Sequence, residues 1–173
     1  MSNQGRHGAV TFQGNPLTVR GEQIAVGDKA PEFTLIGNDM TPVTLSDSSG
    51  KVRLISVVPS LDTGICDAQT RRFNEEAGRM ADNVIVLTVS ADLPFAQARW
   101  CGAAGVDKVT TLSDHKDMNF GQAYGTHIDE LRVEQRAIFV IDAEDTVRYA
   151  EYVPEIAQHP DYDAALDELK RAL

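Results

Sequence analysis

Apolar and polar positions along the chain alternate between the strand period and the helix period. Residues 52–58 read Val-Arg-Leu-Ile-Ser-Val-Val and residues 84–90 read Val-Ile-Val-Leu-Thr-Val-Ser. Such short, β-branched, nearly unbroken apolar runs predict strands buried on both faces. Between them, the pattern over 63–80 predicts a helix with Asp67, Gln69, Arg71, Arg72, Glu75 and Glu76 on its outer face and Asp62 or Thr63 as its cap. A shorter helix opens at Asp92-Leu-Pro94, because proline suits a first helical turn, and stops near Gly102 or Gly105. Residues 109–112 predict a third strand, and 120–124 a helical turn closed by Gly125. Residues 137–141 and 146–153 predict a hairpin, and 161–173 an amphipathic helix with Tyr162, Leu166, Leu169 and Leu173 on one face.

Upstream, Ala9-Val-Thr-Phe12 and Leu17-Thr-Val19 predict an N-terminal β-hairpin turning at Gly14-Asn15, followed by short strands at 33–36 and 43–45. Residues 1–8 read as a flexible tail, and 9–173 as one domain, a size that buries a substantial core. Strands alternating with helices, then a hairpin and a last helix, predict an α/β fold: a central mixed sheet flanked by helices.

Charge narrows the partners. The chain carries 26 acidic and 16 basic residues, a net charge of −10, which argues against nucleic acid or an anionic membrane as a partner. No apolar run approaches the ~18 residues of a membrane span, and Met-Ser-Asn-Gln-Gly-Arg-His-Gly has no apolar core of a signal peptide. A cytoplasmic location is expected. The two cysteines, Cys66 and Cys101, are too few for a secreted disulfide scaffold, and a cytosolic disulfide is usually catalytic or redox-sensing. His7, His115, His127 and His159 show no ligand spacing with them, so neither a metal nor another cofactor is expected.

Cys66 carries the sharpest chemistry. It ends the stretch Pro59-Ser-Leu-Asp-Thr63-Gly-Ile-Cys66, directly after the strand at 52–58. This is the C-terminal end of a central strand, where open α/β sheets place their sites. Helix N-termini present unpaired N–H groups and a partial positive charge, which favour a thiolate. Ionisation is not sufficient. A thiol pKa lowered from ~8.5 to roughly 6 gains about thirty-fold in thiolate but loses about ten- to twenty-fold in nucleophilicity. A fast reaction with a peroxide must also stabilise charge as it moves from sulfur to the leaving oxygen. Thr63 supplies a hydroxyl that can donate to the thiolate and accept a hydrogen bond from the peroxide proton. The N–H groups near residues 65 and 66 can point at the incoming oxygens, and Pro59, which lacks an N–H, can wall the pocket. A guanidinium would complete the site.

Pro59-x-x-x-Thr63-x-x-Cys66 resembles the active-site signature of the peroxiredoxins, which have a thioredoxin-like fold. Asn15-Pro16, Ser90-Ala-Asp-Leu-Pro-Phe-Ala-Gln97 and Cys101-Gly-Ala103 make the chain similar to the bacterial thiol peroxidase branch, an atypical two-cysteine type, over nearly its whole length. The resemblance implies Cys66 as the peroxidatic cysteine, Thr63 as its hydrogen-bond partner and Cys101 as the resolving cysteine, joined to Cys66 in an intramolecular disulfide. It implies Arg136 as the active-site arginine, with Arg132 and Arg148 as substitutes. Glu134 pairs with Arg136 if their segment is extended. It also implies hydroperoxide substrates, thioredoxin as reductant and a homodimer. Because the two cysteines lie on different predicted helices, the helix of Cys101, weakened by Gly102 and Gly105, is expected to unwind on disulfide formation. Two other readings compete: a cysteine hydrolase using His115 or His127, and a redox-sensing disulfide relay without rapid turnover.

Overall fold

The computed structural model describes residues 5–173. Strands β1 (Arg6–Phe12) and β2 (Asn15–Arg20) form the N-terminal hairpin. Its turn is Gln13-Gly14, both at positive φ (53° and 80°), the conformation that a two-residue turn matching strand twist requires. The expected turn at Gly14-Asn15 therefore moves back by one residue. β1 begins at Arg6, so residues 6–8, expected in a flexible tail, belong to the strand, while residues 1–4 lie outside the described residues.

The main sheet contains β3 (Thr34–Gly37), β4 (Pro42–Thr44), β5 (Val52–Val57), β6 (Val84–Ser90), β7 (Thr110–Ser113), β10 (Ala137–Ile141) and β11 (Val147–Tyr152), in the order β11-β10-β5-β6-β7-β3-β4. β5, β6 and β7 are parallel, and the remaining pairings are antiparallel. This is the mixed sheet that the alternation of elements predicts. Two short strands without a strand-length signal, β8 (His127–Ile128) and β9 (Val133–Glu134), extend the N-terminal hairpin into a second sheet of order β1-β2-β8-β9.

Four α-helices cover the main sheet: α1 (Gly64–Ala77), α2 (Pro94–Ala104), α3 (Asn119–Tyr124) and α4 (Tyr162–Arg171). α1 stops at Ala77, three residues earlier than expected, with Gly78 as its cap. α4 ends at Arg171, so Leu173 leaves the apolar face and is 54 % exposed.

Side chains of the central strands split by parity. Ile55 and Val57 of β5, with Ala137, Phe139 and Ile141 of β10, join the core shared with Phe33, Phe120 and Tyr124. Val52 and Leu54, with Ile138 and Val140, join the core on the opposite face, shared with Phe73 of α1 and Ala165, Leu166 and Leu169 of α4. Burial on both faces is why 52–58 reads as an unbroken apolar run rather than an alternating one. Antiparallel pairing sets Ala137 opposite Val57. The start of β10 therefore lies beside the end of β5, where the chain turns toward α1.

Candidate active site

Cys66 is the third residue of α1 and has no solvent exposure; it packs with Val58, Leu61 and Trp100. Thr63 is the N-cap, with extended backbone, and Asp67 N–H is the donor to its carbonyl. The N–H groups of Gly64, Ile65 and Cys66 precede that first helical bond and face the mouth of the helix. A Cβ at Gly64 would meet nothing within 4 Å, so the mouth is open there.

The loop leading to the cysteine is tied down by Asp92. Its carboxylate accepts from Ser60 Oγ (2.8 Å), Leu61 N–H (2.9 Å) and Ser90 Oγ (2.7 Å). Gln97 Nε2 of α2 donates to the same Ser90 hydroxyl (2.9 Å) and to the Leu112 carbonyl (2.9 Å). Pro59, at the start of this loop, is buried. Asp92 was legible only as part of a helix start; its role as an anchor depends on β6 ending beside the loop.

Arg136 reaches the sulfur. One residue before β10, it shares the parity of Ile138 and Val140 and so points to the face covered by α1 and α4. Its guanidinium is buried, with Nη2 donating to Cys66 Sγ (3.3 Å) and to the Ile156 carbonyl (2.9 Å), and Nη1 to Gln69 Oε1 (2.8 Å). Gln69 Nε2 in turn donates to Ser56 Oγ (2.7 Å) on β5. Gln69, expected on the outer face of the helix, is instead fully buried. The signal for it was present: Cys66, Gln69, Thr70 and Phe73 follow the i, i+3, i+4, i+7 spacing of one helical face, and all four are buried.

The competing arginines are engaged elsewhere. Arg132 donates to the His115 carbonyl (2.6 Å), and Arg148 pairs with Asp142 (2.7 Å). Glu134 does not pair with Arg136. Val133–Glu134 belongs to the second sheet, and Gln135 N–H donates to the Thr126 carbonyl (2.6 Å), so no continuous strand carries the side-chain parity from 134 to 136. Glu134 is buried and accepts from Thr126 Oγ1 (2.5 Å). Burial, then the neighbouring Asp114 carboxyl, pushes its pKa well above the usual carboxylate range.

Thr63 is placed at the helix mouth, but its hydroxyl donates to the Ser60 carbonyl (3.1 Å). Its proton is thus occupied and its lone pairs remain free to accept. Neither histidine of the hydrolase reading bonds the sulfur: the His127 ring meets the Gln122 amide (2.7 Å), and His115 engages Arg132 through its carbonyl. Cys101, on α2, is half-buried, with Sγ 3.5 Å from Thr111 Oγ1 of β7. Both thiols are free. Phe95, in the first turn of α2, is 67 % exposed. Among the described residues no cluster of three or more His, Cys, Asp or Glu side chains is placed to hold a metal ion, and no helix is long and apolar enough to cross a membrane.

A thiol at a helix N-terminus beside a buried guanidinium can carry negative charge and attack an electrophile. Known proteins agree in family and fold. The Redoxin family profile matches residues 25–166. The chain is 62 % identical over 165 residues to the thiol peroxidase of Halalkalibacterium halodurans, covering 95 % of this chain and 99 % of that protein. It is 56 % identical to the thiol peroxidase of Bacillus subtilis, covering 93 % and 96 %. The crystal structure of a peroxiredoxin-like protein from Aquifex aeolicus superposes with a TM-score of 0.89 at 36 % identity, over 99 % of this chain and all of that one. The fold is the thioredoxin-like α/β arrangement, and the chain belongs to the Redoxin family and, within it, to the thiol peroxidases.

Proposed function

We propose that this peroxidase reduces hydrogen peroxide and organic hydroperoxides through Cys66, with Cys101 as the resolving cysteine and thioredoxin as the reductant. The observation that carries the reading is the setting of Arg136. The residue is 1 % exposed, the oxygen partners of its guanidinium are the neutral Gln69 amide and Ile156 carbonyl, and no carboxylate pairs with it among the described residues. A buried cation needs an anion. The Cys66 sulfur, 3.3 Å away, becomes that anion on losing its proton.

In the first step the thiolate attacks one peroxide oxygen. The O–O bond breaks, an S–O bond forms, and the departing oxygen leaves as water or an alcohol after taking a proton; Cys66 is left as a sulfenic acid. Arg136 and the first-turn N–H groups stabilise the charge that moves from sulfur to oxygen. The Thr63 hydroxyl accepts a hydrogen bond from the peroxide O–H with a free lone pair, while Pro59, which lacks an N–H, walls the loop. Cys101 then displaces the sulfenic oxygen as water and forms the disulfide. A thioredoxin dithiol reduces that bond and is itself oxidised. This cycle belongs to antioxidant defence in the cytoplasm, where thiols are kept reduced. The protein acts as a homodimer; exposed Leu93 and Phe95, beside the groove over Asp62, Arg99 and Trp100, offer apolar surface for a second copy to cover.

Intact mass and thiol titration after one equivalent of peroxide test the reading. Wild type is expected to lose both thiols without gaining oxygen, and Cys101→Ser to trap a sulfenic acid at Cys66. Turnover with thioredoxin and its reductase completes the case. Retention of the Cys101 thiol in oxidised wild type would overturn the two-cysteine cycle, and slow oxidation without turnover would favour the redox relay.

A further inference from the structure

The half of α2 that carries Cys101 is held by side chains of α1. Trp100 Nε1 donates to Asp67 Oδ2 (3.1 Å), and Arg71 Nη1 donates to the Ala104 carbonyl (3.2 Å). Arg71 pairs with Asp67 one turn earlier, and its guanidinium lies over the Trp100 ring, 5.7 Å from the centroid. The two partners on each helix are four residues apart, so one face of α1 meets one face of α2. Asp67 directly follows Cys66, and Trp100 directly precedes Cys101.

Gln97 anchors the first half of α2, whereas the second half has only the partly buried Trp100 and Ala104 against the core and the Cys101 contact with Thr111 besides these ties. The helix has 11 residues, short of the length at which a helix persists alone. Its buried residues, Pro94 and Gln97, both lie in its first half. Beyond Gln97, Gly102 lowers helix propensity, and a Cβ there would meet nothing within 4 Å. The Ala104 carbonyl lies in the last turn, where helical acceptors lack intrahelical donors, and Arg71 supplies one.

We infer that Asp67 and Arg71 clasp Trp100 and the Ala104 carbonyl, holding the Cys101-bearing half of α2 folded, and that release of this clasp sets the rate at which Cys101 reaches oxidised Cys66. The inference rests on the two-cysteine reading above. Cys101 Sγ is engaged with Thr111 Oγ1 and Cys66 Sγ with Arg136, so the two sulfurs face different partners until α2 rearranges. In the step the clasp controls, the Cys101 thiol attacks the sulfenic sulfur of Cys66. The S–O bond breaks, the S–S bond forms, and the thiol proton leaves with the hydroxyl as water. The Cys101 sulfur is oxidised as the Cys66 sulfur is reduced. Arg71 and Asp67 are positioning residues in this step and touch neither peroxide nor sulfur.

The test compares wild type with Arg71→Gln and Asp67→Asn. Peroxide is mixed rapidly, thiols are alkylated at timed intervals, and mass spectrometry follows Cys66 oxidation and Cys101 loss separately. Exposed ion pairs and cation–π contacts of this kind predict a resolution rate about three- to tenfold faster in Arg71→Gln, with Cys66 oxidation within about twofold of wild type. Asp67→Asn should shift the rate in the same direction. Amide exchange over residues 100–104 of the reduced protein should accelerate in parallel, and less Cys66 should over-oxidise to sulfinic acid at high peroxide. A merely structural role would slow both steps together. Resolution that is unchanged or slower in both variants would overturn the clasp while leaving the two-cysteine cycle intact. Absence of a Cys66–Cys101 disulfide in wild type would overturn the cycle and the clasp with it.

Discussion

Arg136 Nη2 donates to Cys66 Sγ across 3.3 Å, although 70 positions separate the two residues in the chain. The contact follows from register. β10 runs antiparallel to β5 with Ala137 opposite Val57, so the residue entering β10 lies beside the chain leaving β5 for α1. Replacing Arg136 by Gln keeps a polar side chain but removes the cation. Peroxide oxidation of Cys66 is expected to slow by about 10²- to 10³-fold, the usual cost of losing one preorganised charge-stabilising donor. Stopped-flow kinetics with the variant would show it, and a rate within threefold of wild type would remove Arg136 from the mechanism.

Gln69 fixes that guanidinium by joining Arg136 Nη1 to Ser56 Oγ. Gln69→Leu leaves a buried donor on Arg136 without its acceptor, at a cost of about 1–3 kcal/mol in stability. Cys66 oxidation should fall about tenfold as the cation loses its position. Gln69→Glu keeps the acceptor but adds a negative charge that competes with the sulfur for Arg136. It should slow oxidation while recovering most of the stability, as urea unfolding and stopped-flow measurements together would reveal.

Glu134 ties stability to pH. Its Oε1 has no donor facing it, and the Asp114 carboxyl lies beside it. A proton on Glu134 satisfies both groups. Because burial raises the folded-state pKa above the unfolded value of about 4.3, the folded state binds this proton more tightly than the unfolded state does. The resulting stabilisation is complete below the unfolded pKa and is lost as pH rises through the folded one. Glu134→Gln holds a neutral amide there at every pH. Its stability relative to wild type should therefore increase as pH is raised from about 4 toward 8. Parallel chemical-denaturation curves for the two proteins would contradict this.

Gly125 closes α3 at φ 74°, and a Cβ there would lie 2.4 Å from the Glu22 carbonyl oxygen. Backbone cannot yield as a flexible side chain does. Gly125→Ala combines left-handed strain with this overlap and should cost about 2–4 kcal/mol. Thermal and urea unfolding would measure the loss, and a cost below about 1 kcal/mol would show that the loop at Glu22 moves freely.

Much of this architecture was legible from local pattern. Residues 84–90 and 137–141 are strands at the expected bounds, because long β-branched runs have little alternative when both faces are buried. Pro94 and Gly105 bound α2 as proline and glycine chemistry requires. The small strands β8 and β9 were not legible, since two-residue strands have no period to read. Gln69 departs from the outer face that its polarity suggests, because its spacing from Cys66 and Phe73 puts it on the buried face.

The amino-acid order by itself determined the alternation of strands and helices and the delivery of Cys66 to a helix start at the end of a central strand. Those features depend on neighbours within one turn or one strand. Tertiary structure decided which arginine meets the sulfur, that Glu134 is buried beside Asp114 rather than paired with Arg136, and that Thr63 spends its proton on Ser60. Side-chain parity propagates only along an unbroken strand, and the chain passes from one sheet to the other between Glu134 and Ala137. Contacts across that break follow from strand register and helix packing, which no local window contains.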